Sequence, residues 1–227
     1  MVITIEPKIE REKLLRLLGG GDRQQLSPST RKKMSRWGAE MTELVEPWLS
    51  YEVLRLVETS ETEITLEGDI SFRSRKIART LKGCSHAVVF AATIGPDIET
   101  RLAELQDENR FSDLYVLDAV GSVAVEDVVD QFQKSMSERL RSDRRDVTLR
   151  FSPGYCDWNI REQASLFRVF KGKTMPISLT ANCLMQPRKS VSGLFGIRTF
   201  TGTERVWDEN PCRNCSKRDC IARRHEA

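Results

Sequence analysis

Apolar and polar positions change period repeatedly along the chain, and each change marks an element. Val2, Thr4 and Glu6 alternate with Ile3 and Ile5, the two-residue period of a short strand. From residue 9 to residue 18 the spacing becomes that of an amphipathic helix, which the run Gly19-Gly20-Gly21 stops. Ser27 is placed to cap a second helix with Pro28 at its first position. That helix should pass through Met34, Trp37 and Met41 to about Glu46, since Pro47 discourages continuation. Residues 51–57 and 63–66 read as strands, and residues 77–81 as part of a helix ended by Gly83. Residues 87–95 read as a buried strand leading into a turn, and Pro96 opens a helix to about Glu108. A single long helix, with Gly121 inside it, is predicted from Asp113 to about Leu140.

Val147-Thr148-Leu149 then gives a strand, and Asn159 caps a helix carrying Ile160, Ala164, Leu166, Phe167 and Phe170. Residues 177–180 and 191–197 are two more strands, with a loop at Gln186-Pro187-Arg188 between them. They are expected to pair as an antiparallel hairpin or as neighbours. The order mixes strands and helices without regular β-α-β alternation, so the predicted class is α+β, with helices packed on a mainly antiparallel sheet. There is no internal repeat and no low-complexity linker.

Composition narrows the classes of function. The 227 residues are 39% hydrophobic, enough for one substantial core, and 30% charged with a net charge of only +3. That balance, with no interleaving of aromatic and basic residues, argues against a nucleic-acid-binding protein. No apolar run is long enough to span a membrane, and the N-terminus lacks the basic flank and apolar core of a signal peptide. A cytoplasmic location is expected, and six cysteines there point to thiols or metal ligands rather than disulfides.

The densest chemistry lies in Arg150-Phe151-Ser152-Pro153-Gly154-Tyr155, followed by Cys156-Asp157-Trp158. Arg150 sits at a strand end, and Pro153-Gly154 turns the chain before a helix. Gly154 lets a ligand approach the backbone, and the turn is expected to expose N–H groups. Arg150 offers a planar fork for a carboxylate or phosphate, and Tyr155 an aromatic face for a cation or flat ring. The competing reading is a tight turn beside a surface arginine. On the long helix, Ala119, Val120, Val123, Ala124, Val128 and Val129 form a wide apolar stripe that Glu126 and Asp127 interrupt. The width of the stripe leaves open whether Glu126 faces water or a pocket.

Arg150-x3-Gly154-Tyr155, preceded by the Glu126 helix and followed by Pro187-x-x-Ser190-Val191-Ser192-Gly193, resembles the activation domain of cobalamin-dependent methionine synthase over roughly residues 85–198. The resemblance implies a C-shaped antiparallel sheet flanked by helices, which binds S-adenosylmethionine and enables reductive remethylation of cobalamin that has lapsed to cob(II)alamin. It implies ligand contacts by Glu126, Arg150, Ser152, Gly154 and Tyr155. Arg150 suits the ligand's carboxylate and Glu126 its ammonium, the backbone near Ser152 and Gly154 could hold the adenosine, and Tyr155 could lie near the sulfonium. None of these is a nucleophile. The chain departs from the family in having Cys156-Asp157 after the tyrosine and no clear match, before residue 85, to the family's ligand-contacting aspartate. It has no room for a corrinoid-binding domain. The resemblance therefore implies action in trans, on a corrinoid-binding protein or methionine synthase core that brings the cobalamin, with a flavodoxin- or ferredoxin-type electron donor. The alternative is a non-catalytic partner of a corrinoid methyltransferase that does not use S-adenosylmethionine.

The expected organisation is one activation-domain-like unit over residues 1–200 and a basic, Cys-rich tail over residues 201–227. The tail carries Cys212, Cys215 and Cys220 in a Cys-x2-Cys-x4-Cys pattern among Arg213, Lys217 and Arg218, which favour thiolates. Such a set is a candidate for zinc or an iron–sulfur cluster, with Cys183, Cys156 or, for zinc, His225 as the fourth ligand. A flexible reduced tail is the alternative. Cys84 reads as a core or helix-end thiol, and His86 as a packing residue.

Overall fold

The structure, a computed structural model, describes residues 1–19 and 26–199. Nine strands and six α-helices follow one another along these residues. Strand β1 (Val2–Ile3) leads to helix α1 (Arg11–Leu17) and helix α2 (Pro28–Glu40). Ser27 caps α2 by accepting the Thr30 N–H at 3.1 Å, as the Ser-Pro pair predicts. The helix does not reach Glu46. It tightens into a 3-10 turn at Met41–Glu43, so that Trp48 can begin strand β2 (Trp48–Thr59).

Strands β3 (Glu63–Leu66) and β4 (Ile70–Arg73) form a hairpin around Gly68 and Asp69, both in the left-handed region at φ 79° and 56°. Strand β4, in which buried Ile70 and Phe72 alternate with Ser71 and Arg73, lies outside the strands expected from the sequence. Helix α3 (Arg75–Leu81) is capped by Ser74, whose Oγ accepts the Ile77 N–H at 3.1 Å. Strand β5 (His86–Thr93), helix α4 (Asp97–Asp107) and the 30-residue helix α5 (Phe111–Leu140) come next. They are followed by β6 (Arg145–Val147), α6 (Gln163–Arg168), β7 (Ser178–Leu179), β8 (Met185–Gln186) and β9 (Ser190–Thr199).

The main sheet has seven strands in the order β4-β3-β2-β5-β9-β6, with β1 also on β2, and its pairings are all antiparallel. The fold is thus α+β, a mainly antiparallel sheet flanked by helices, as expected. The expected pairing of the last two strands is not found. Strand β7 pairs with the short β8, while β9 lies between β5 and β6. The reason is burial: β9 has apolar residues for two covered faces, which only a central position uses.

Strand β5 shows why the chain folds around this sheet. Val88, Phe90 and Ala92 pack into one core with α2, α4 and α5, while Ala87, Val89 and Ala91 pack into a second with α3, α6, Trp158 and Ile177. Helices cover both faces, so the antiparallel strand has no polar side and reads as a continuous apolar run. Gly121 lets α4 approach α5, since a methyl there would lie 2.6 Å from Ile98 Cδ1. That contact offsets the roughly 1 kcal/mol a glycine costs inside a helix. Where α2 meets α5, Trp37 donates to the buried Asp113 at 3.0 Å, and Lys33 pairs with the same carboxylate at 3.1 Å.

Phe90 is fully buried, with ring centroids 6.2 Å from Phe132 and 6.0 Å from Phe195. Replacing it with alanine opens a cavity where sheet and α5 meet. Phe90→Ala should lower the stability measured by urea unfolding by about 3–5 kcal/mol.

Candidate functional site

The site lies where the chain leaves β6 and crosses toward α5. Phe151 continues the sheet by a two-way bridge to Leu194 of β9, each donating its N–H to the other's carbonyl at 2.9 Å. Phe151 joins Leu194 in the core beneath the sheet, so residues 150 and 152 alternate to the α5 side. Close crossing is possible because residue 193 is glycine: a Cβ there would collide with the Phe151 carbonyl oxygen and lie 3.1 Å from Ser152 Oγ. The Ser-Val-Ser-Gly motif of β9 and the Arg-x3-Gly-Tyr motif are thus two sides of one crossing.

Arg150 reaches α5 and closes on two carboxylates one turn apart. Its Nη2 donates to Glu126 Oε2 at 2.6 Å, its Nη1 donates to Asp130, and Gln133 lies 3.4 Å from the same nitrogen. Asp130 is held from the other side by Lys13 of α1 at 2.7 Å, and Lys13 also meets Glu10 at 3.0 Å. Charge therefore alternates across three segments that are far apart in sequence. Burial alone would lower the pKa of Arg150, but the charges of Asp130 and Glu126 outweigh it and keep the guanidinium ionised. Burial likewise opposes the Asp130 charge, yet Arg150 and Lys13 hold its carboxyl below the ordinary range. The Arg150 side chain is 14% exposed and that of Glu126 is 47%, so one partner of the arginine opens to solvent.

On α5, Glu126 is half-exposed. Glu126 faces Arg150. Asp127 is buried on another side of α5, where it accepts the Lys8 N–H and the Gln131 side chain, both at 2.6 Å. Asp130, Gln133 and Lys13 were not singled out from the sequence. The visible signal is the spacing Glu126, Asp130, Gln133, which puts three polar side chains on one edge of an otherwise apolar helix.

The turn itself differs from expectation. Gly154 has φ +90°, as a glycine turn requires, but its N–H donates to the Trp158 carbonyl at 2.8 Å, and that of Tyr155 to the Ser152 carbonyl at 3.2 Å. Those N–H groups close the loop on itself rather than face outward. A segment this short satisfies its backbone internally before it can offer donors to anything else. Tyr155 is exposed, and Ser152 is half-buried beside Gly193.

Two carboxylates that follow the turn fix it to the hairpin side of the sheet. Asp157 accepts from Ser74 Oγ at 2.5 Å and from the Arg75 N–H at 2.8 Å, while Glu162 accepts from the Trp158 indole and the Arg73 N–H, both at 2.9 Å. Trp158 is buried edge-on against Phe72 at 5.2 Å. Burial works against the Asp157 charge, but the bonds from Ser74 and the α3 backbone prevail and lower its pKa.

The cysteines divide between core and surface. Burial pushes the Cys84 thiol up to about 11, as befits a core residue. Cys156 is exposed, and Cys183 lies 3.8 Å from the Arg161 carbonyl. Cys212, Cys215, Cys220 and His225 lie outside the described residues. Among the described residues no group of three or more His, Cys, Asp or Glu is arranged to hold a metal ion. No helix among them is long and apolar enough to cross a membrane.

This is an α+β domain with a paired arginine and glutamate at the sheet edge, and known proteins share its fold. Among solved structures the chain is similar to the MetH reactivation domain bound to AdoHcy, with a TM-score of 0.61 and 13% identity over 91% of this chain and 81% of that one. At that identity the likeness is one of fold. No family model matches the sequence. No curated protein matches it either.

The Asp157 clamp has a pH signature. A carboxylate whose folded pKa is depressed stabilises the fold above its unfolded pKa, and the contribution is lost as pH falls through the folded value. Asp157→Asn should cost about 1 kcal/mol at neutral pH, the low end for a charged hydrogen-bonded group because the carboxylate is exposed. Urea midpoints of the two proteins should converge as the pH is lowered through the carboxylate range.

Proposed function

We propose that this chain binds S-adenosylmethionine and supports reductive methylation of cobalamin carried by a separate corrinoid protein or methionine synthase. The observation that carries the reading is the Arg150–Glu126 pair at 2.6 Å, on a fold shared with a reactivation domain bound to AdoHcy. The pair has one member for each end of an amino-acid zwitterion. Asp130, gripped by Lys13, stays on Arg150 and orients its fork. Glu126, the more exposed partner, yields its place to the ligand's carboxylate and takes the ligand's ammonium. The exchange conserves charge, because one internal ion pair is replaced by two with the zwitterion. Ser152, Gly154 and Tyr155 would line the rest of the ligand, with the Tyr155 ring toward the sulfonium. The chain's own part is to bind and orient a methyl donor. The nucleophile, cob(I)alamin, belongs to the partner, and the electron comes from a flavodoxin- or ferredoxin-type donor.

Calorimetric titration with S-adenosylmethionine tests this. Arg150→Ala should weaken binding by about 1.5–3 kcal/mol, the range for a charged hydrogen-bonded contact. Arg150→Lys keeps the charge between Asp130 and Glu126 while losing the fork, so it separates ligand loss from misfolding. Wild-type affinity in both variants would remove the reading. One observation favours the alternative, a non-catalytic partner of a corrinoid methyltransferase: Arg150 already has two carboxylates, and the Gly154 and Tyr155 N–H groups are committed within the turn. A folded wild type that binds a corrinoid protein but gives no heat with S-adenosylmethionine would select it.

Residues 201–227 are proposed as a metal-binding appendage to the unit of residues 1–200. Cys212, Cys215 and Cys220 have too few apolar neighbours for burial to order them, and a metal ion supplies that free energy. Protein purified anaerobically should contain one iron–sulfur cluster, seen as brown colour, or one zinc, seen by elemental analysis. Cys215→Ser should abolish it. Neither metal, with all three thiols freely titratable, would leave a reduced tail.

A further inference from the structure

A groove of about 470 Å³ lies between the turn joining β2 to β3 and the outer face of α3, lined by Thr59, Ser60, Glu61, Arg75, Ala78, Arg79 and Lys82. Ala78 is buried and forms its floor. Arg75 and Arg79 stand one turn apart on the helix, and Lys82 follows immediately after its last residue, so the three line one side of the groove. Among the described residues none of the three has an ion pair or a side-chain hydrogen bond. Glu61, the one acid lining the groove, makes no ion pair with the row.

This arrangement works against the helix. Neighbouring like charges repel, and Asp157, the carboxylate at the start of α3, bonds the Arg75 N–H rather than any side chain of the row. A concave site lined by uncompensated cations is the complement of an anion. The row extends about 10 Å at the rise of an α-helix, longer than one tetrahedral anion. Two guanidinium forks favour phosphoryl oxygens over a point contact, and no aromatic side chain lines the groove to hold a flat ring. We propose that this groove binds a small polyanion with two or more linked phosphoryl groups, independently of the Arg150 pair.

The test is calorimetry on the full chain with inorganic tripolyphosphate and with orthophosphate at low salt. Tripolyphosphate should bind at least tenfold tighter than orthophosphate, and more weakly as salt rises. The double variant Arg79→Glu, Lys82→Glu should lose at least tenfold in tripolyphosphate affinity with an unchanged circular dichroism spectrum. Arg11→Glu, a charge reversal on α1, should bind as the wild type does. No binding of tripolyphosphate by the wild type would overturn the proposal, as would equal losses in the Arg11 variant. So would preferential binding of single-stranded RNA or a poly-glutamate peptide that tripolyphosphate does not displace.

Discussion

The structure depends on burying β5 and β9 on both faces. An eight-residue strand with apolar side chains on alternate faces requires two cores, and the two cores account for nearly every helix. Helices α2, α4 and α5 cover one face, and α3, α6 and the segment around Trp158 cover the other. The segment at 145–152 lies at the β6 edge of the sheet, where polar side chains can meet a helix without loss of core. The Arg150 cluster forms there.

That placement explains the electrostatics of the cluster. A guanidinium this buried is costly unless matched, and α5 matches it with two carboxylates one turn apart. Lys13 balances the second carboxylate and so ties α1 to the same spot. The result is a chain of alternating charge in which each cation lies between two carboxylates and Glu126, at one end, is half-exposed. Such a chain can exchange partners with a zwitterion at little electrostatic cost, whereas a bare arginine could not have been held here at all.

The loop that follows is rigid for a different reason. Its N–H groups are satisfied within it, Trp158 is sunk against Phe72, and Asp157 and Glu162 bind the backbone of the β4–α3 junction. Asp157 thereby anchors the turn to the start of α3. Arg75 thus begins a helix whose N-terminal N–H groups are bonded from outside by Asp157, while its side chain lines the groove.

Much of the local structure was legible from the sequence. Ser27-Pro28 set the start of α2, the unbroken apolar run marked β5 as a buried strand, and periodicity gave α5 to within a few residues at each end. Arg150, Gly154 and Gly193 were visible as motifs, because arginine forks and glycines in turns or crossings leave a residue-level signature. Other features needed the tertiary structure. Whether Glu126 or Asp127 faced the arginine depended on how α5 rotates against the sheet, and the wide apolar stripe does not fix that rotation. Pairing of β7 with β8 depended on β9 being drawn to the sheet centre. Lys13, Asp130 and Asp157 gained their roles from partners 117, 20 and 83 positions away. Sequence determines what each side chain can bond, and only the packing of distant elements decides which bond is made.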